Sequence, residues 1–114
     1  MTEDTIERLT AELKSYYEGA ATAKDGDATL VRLPKVHFPA GCEPASTTAL
    51  VAFDPSKGKP DFYLKLIPAV RGTQPQQGNA VVAGESWYTF SYNLSWTEEH
   101  TAVQFVEGML RRFA

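Results

Sequence analysis

The chain has 114 residues, of which 43% are hydrophobic and 22% charged, with a formal net charge of −3. That length suits one domain over residues 1–114, able to bury a core without disulfide or metal staples, and the lone Cys42 excludes an internal disulfide and any multi-cysteine zinc site. With no run of Lys or Arg and a net negative charge, nothing marks the chain for nucleic acid.

The N-terminus, Met1-Thr-Glu-Asp-Thr-Ile-Glu-Arg8, is acidic and has no apolar signal-peptide region. No apolar run approaches the roughly 18–20 residues of a membrane span. A cytoplasmic protein without membrane contact is the expectation.

Residues 4–18 have the spacing of an amphipathic helix, with Ile6, Leu9, Leu13 and Tyr16 on one face. Thr2 is placed to cap it, Glu3 and Asp4 sit where the helix dipole favours negative charge, and Gly19 stops it. The small polar residues 20–27 then predict a linker.

Leu30, Val31, Leu33, Val36 and Phe38 predict a strand, which Pro34 confines to an edge or interrupts. Two prolines and a glycine within residues 39–44 predict a turn. Residues 47–53 and 62–67 predict two more strands, joined by the turn at 54–60. Short turns between consecutive strands imply an antiparallel meander of three or four strands.

Residues 68–86 predict a long polar loop, of a length that is usually functional. Residues 87–94 alternate as a strand does. Thr97 is the expected cap of a last helix, with Glu98 and Glu99 in its first turn and Arg111 and Arg112 in its last. Ala102, Phe105, Val106, Met109 and Phe113 would form its buried face. The fold class is therefore α+β: N-terminal helix, antiparallel meander, long loop, C-terminal helix.

Few residues carry chemistry. Cys42 is the only thiol, with His37 five residues away and Glu43 adjacent. As a nucleophile it would need a lowered pKa or a neighbouring base, and a donor for the oxyanion. The other reading is an inert turn cysteine. His37 and His100 lack ligand-like spacing, so no metal or cofactor is expected. No Gly-x-Ser-x-Gly elbow or phosphate loop is present. Among the aromatics, Trp87 and Tyr88 either pack inward or form a partner-binding patch beside the long loop, and Trp96 belongs to the core.

The element order, the proline turn Asp54-Pro55 to Lys59-Pro60-Asp61-Phe62, the spacing of Asn79 and Trp87, and the run Trp96-Thr-Glu-Glu-His-Thr101 together resemble the ubiquitin-conjugating (E2, UBC-like) fold. Val36-His-Phe-Pro-Ala-Gly-Cys42 and the spacing of Trp87, Phe90, Ser91 and Trp96 are most similar to a bacterial E2-like family. The resemblance puts Trp87 and Tyr88 where an active E2 carries its cysteine, and Gln77 and Gly78 where a histidine and proline are expected before Asn79.

It implies a non-catalytic, protein-binding E2-like domain in a bacterial ubiquitin-like modification system. Its partners would be a ubiquitin-like protein and an E1-like adenylating enzyme. Trp87, Tyr88, Asn79 and Arg71 are the candidate binding residues, and Trp96 and Thr97 the structural ones. The alternatives are an active conjugating enzyme using Cys42 and an unrelated small α+β binding module.

Overall fold

Helix α1 (Glu3–Tyr16) begins where the sequence places it, with the Thr2 hydroxyl accepting the Thr5 N–H at 3.1 Å. The computed structural model describes all 114 residues. Ile6, Leu9 and Leu13 are buried, but Tyr16 is 63% exposed and Tyr17 turns inward in its place. The cause is the helix end: Tyr17 is already extended (φ −98, ψ 118), which swings its ring off the helical register and into the core.

Residues 20–27 are not a linker. Strand β1 (Ala21–Asp25) pairs antiparallel with β2 (Ala28–His37) across a turn at Gly26 and Asp27, where Gly26 adopts φ +61. All five β1 residues are exposed, so no apolar alternation announces the strand. The β2 register shifts between Leu33 and Val36, spanning Pro34, which has no N–H for the ladder.

Strand β3 (Cys42–Glu43) leaves the main sheet and pairs with β6 (Ala69–Val70). The meander continues through β4 (Ser46–Phe53) and β5 (Asp61–Leu64). The expected long loop then folds instead as a hairpin, β7 (Gly78–Val82) and β8 (Glu85–Thr89). Its turn residues, Ala83 and Gly84, both have positive φ, the geometry that matches strand twist in a two-residue connection. The main sheet thus has six strands rather than three or four, all antiparallel, in the order β1-β2-β4-β5-β8-β7.

The expected strand over 87–94 ends at Thr89. Beyond it the chain crosses onto helix α2 (Ala102–Leu110), which a 3-10 turn (Arg111–Phe113) extends. Thr101, not Thr97, caps α2. The Thr101 hydroxyl accepts the Gln104 N–H at 3.0 Å, and the Gln104 side chain accepts the Thr101 N–H at 2.9 Å. This reciprocal box needs Gln or Glu three residues past the cap. From Thr97 that position is His100, so Glu98 and Glu99 stay outside the helix.

Both helices pack on one sheet face. Register puts Val31, Val51 and Phe62 in one inward row and Leu33, Ala49 and Leu64 in the next, beneath Ile6, Leu9 and Leu13 of α1 and Phe105, Val106 and Phe113 at the C-terminus. The opposite face carries Leu30, Leu50, Ala52 and Trp87, buried as a second cluster. No helix is long and apolar enough to cross a membrane.

Candidate functional site

Strand alternation decides what the candidate residues can do together, because neighbours along a strand point to opposite faces. Trp87 lies on the outer face, cross-strand from Ala80, and is only 2% exposed. Tyr88 pairs with Leu64 and packs against the main core. Asn79 is the cross-strand partner of Tyr88, exposed on β7, and therefore on the face opposite Trp87. The adjacent aromatics do not form one patch, and Asn79 does not meet Trp87.

What lies around Trp87 is electrostatic. The Lys65 ammonium sits 4.5 Å and the Arg32 guanidinium 5.3 Å from the indole ring centroid. Both cations converge on Glu85, each donating to its carboxylate at 2.7 Å, and Lys65 also donates to the Ser86 carbonyl at 2.8 Å. The bonds from Arg32 and then Lys65 hold the Glu85 carboxyl down at about 2. Leu30, Leu50 and Ala52 lie beneath, with Tyr63 and Val82 packed alongside. The buried Trp87 Nε1 has no hydrogen-bond partner.

Sequence reading singled out Trp87 but not Arg32, Lys65 or Glu85. The available signal was the outward phase of Arg32, between inward Val31 and Leu33. No local pattern links that position to Glu85, 53 residues away.

Cys42 and Arg71 meet elsewhere, at the β3 and β6 pair. The half-buried Cys42 thiol donates to the Phe113 carbonyl at 3.3 Å, and neither His37 nor Glu43 bonds to it. Burial pushes its pKa up and the nearby Arg71 charge opposes this without reversing it. Arg71 itself adopts φ +50 and donates its backbone N–H to Gly41 at 3.0 Å. No three His, Cys, Asp or Glu side chains converge as a metal site would require.

Trp96 is half-buried, edge-on to Phe105 at 5.5 Å and tilted against His100 at 5.7 Å. Thr97 makes the turn before α2, donating its N–H to His100 Nδ1 at 3.0 Å. Nearby, a cleft of about 500 Å³ opens between β5 and the residues after β8, with Phe62, Phe90, Leu94, Phe105 and Met109 among its walls. A second, of about 520 Å³, lies between α1 and the β1–β2 hairpin and is lined by both charge signs, including Glu3, Glu7, Lys14, Lys24 and Asp27.

Compared with protein-family models, with curated proteins and with solved structures, the chain matches none of them. Its own residues therefore carry the functional argument.

Proposed function

We propose that this chain is a protein-binding domain of UBC-like design without conjugating chemistry. In this reading it is a cytoplasmic pseudo-E2 of a bacterial ubiquitin-like system, with a ubiquitin-like protein and an E1-like adenylating enzyme as partners. The observation that carries it is the state of Trp87. At the position where the resemblance calls for a nucleophile, the side chain is a buried indole beneath two paired cations.

Cys42 adds weight from the other side, since thioester formation needs a thiolate. This thiol is raised by burial and donates to a carbonyl. The helix, antiparallel meander and C-terminal helix, in that order, support the UBC-like comparison.

Trp87 cannot anchor a partner without leaving the sheet. The recognition surface falls instead on the side chains above it: Arg32, Lys65 and Glu85 present a polar outer face that an incoming partner meets first. The test first looks beside the gene of this chain for genes of a ubiquitin-like protein and an E1-like enzyme, whose absence would itself overturn the proposal, and then uses their products. Calorimetric titration is expected to give saturable binding to at least one of them. A non-reducing gel after incubation with both and ATP is expected to show no thiol-sensitive adduct. Failure to bind either, or an adduct lost in Cys42→Ser, overturns the proposal.

A further inference from the structure

Strand β7 ends the main sheet, and no strand pairs with its outer edge. The two-residue turn closes on the pair Val82 and Glu85, which in such hairpins exchange both backbone hydrogen bonds. Gly78, Ala80 and Val82 therefore turn their backbone groups toward β8. Asn79 and Val81 turn theirs outward, giving two free N–H and two free C=O groups.

Edge strands are ordinarily guarded by charge, proline or a bulge. The opposite edge, β1, ends in Lys24 and Asp25. β7 reads Gly-Asn-Ala-Val-Val, with no charge and no proline, and Val81 is 73% exposed. It is the less guarded edge of the sheet.

Independently of the functional reading above, we propose that β7 pairs antiparallel with β7 of a second copy, about a twofold axis at Ala80. That register sets Asn79 of each copy against Val81 of the other, so all four outward groups find partners. Ala80 faces its counterpart as a non-hydrogen-bonded pair, where side chains approach most closely and a methyl group fits. An uncharged strand meets itself without repulsion. Self-pairing of β1 about Ala23 would set Lys24 of one copy beside Thr22 of the other and bring two lysines into the joint. A five-residue strand pair is a small interface, so the association is weak and concentration-dependent.

Sedimentation velocity over about 10 to 500 μM is expected to show the weight-average mass rising toward twice the monomer, in the affinity range of weak complexes. Val81→Lys places two ammonium groups in the joint and is expected to stay monomeric while keeping the wild-type circular dichroism. Register is read in a Cys42→Ser background. Ala80→Cys is expected to cross-link on oxidation, because the paired Cα separation falls within disulfide range. Val82→Cys is expected not to, its two copies lying about 13 Å apart. A monomer at every concentration, a dimer untouched by Val81→Lys, or equal cross-linking of the two cysteines overturns the proposal. So does a monomer whose edge is instead occupied by another protein's strand, seen as Ala80→Cys protected from alkylation only in cell extract.

Discussion

The Lys65 ammonium rests 4.5 Å from the centre of the Trp87 indole, and this contact explains how a tryptophan is buried on the sheet face that no helix covers. The indole is the largest apolar group of that small cluster. The aliphatic stems of Lys65 and Arg32 can shield it while their charged heads remain hydrated. Glu85 fixes both heads in place.

Trp87→Ala is accordingly expected to cost about 3–5 kcal/mol, because it removes the centre of the outer cluster and leaves Leu30 and Leu50 uncovered. Urea unfolding followed by far-ultraviolet circular dichroism measures this. A loss below about 1 kcal/mol would show that the cations shield the face without the indole.

The Glu85 carboxyl has its pKa lowered in the folded chain, first by Arg32 and then by Lys65. A group with a depressed folded pKa contributes stability above its unfolded value, and that contribution fades as the pH falls toward the folded value. The window runs from the ordinary 4.5 down to about 2. The site is exposed, so added salt should weaken the effect. Glu85→Gln is expected to flatten the acid limb of a thermal-melting profile in that window. An unchanged acid limb would mean the ion pairs add nothing in solution.

Thr101→Ala removes the hydroxyl of the α2 capping box and is expected to lower stability by about 1 kcal/mol. Thr97→Ala, which touches only the preceding turn, is expected to cost less than half as much. Equal effects in chemical denaturation would put the functional start of the helix earlier than Thr101.

The legible parts of this fold were those where burial imposes a period. Ile6, Leu9 and Leu13 announce α1, and the rows through Val31, Val51 and Phe62 announce the meander. What escaped lacks such a period. β1 buries neither face, and β7 alternates only between exposed and half-buried residues, so both resemble polar connectors. In the turn between β7 and β8, Ala83 takes φ +50, a conformation its identity does not advertise. Two threonines compete for the α2 cap, and only Gln104 decides between them. The candidate site was legible as a concentration of aromatics. Its division between two faces follows from β8 being a paired strand, which residue types alone do not reveal.

Two side-chain hydrogen bonds join the helices directly, and in one of them Glu12 of α1 accepts the Ala102 N–H of α2 at 2.9 Å. In the other, which yields the last prediction, the Tyr17 hydroxyl at the end of α1 donates to Glu107 Oε1 of α2 at 2.9 Å. Burial first, and then the bond to Glu107, raise the phenol pKa far above its ordinary value, because a phenolate there would be poorly solvated and would face a carboxylate. A raised folded pKa means the folded chain holds this proton more tightly than the unfolded chain does. Its stabilising contribution is full below the unfolded value of about 10 and is lost as the pH rises from there toward the folded value. Tyr17→Phe keeps the ring in the core and deletes the hydroxyl. Glu107 is exposed and turns to water, so the cost near neutral pH is modest, about 1 kcal/mol. Above pH of about 10 the variant should lose stability less steeply than the wild type, because it no longer has a proton to release on unfolding. Paired denaturation series at neutral and alkaline pH measure both effects. Parallel alkaline slopes would show that Tyr17 ionises freely while folded and that this bond does not tie α1 to α2.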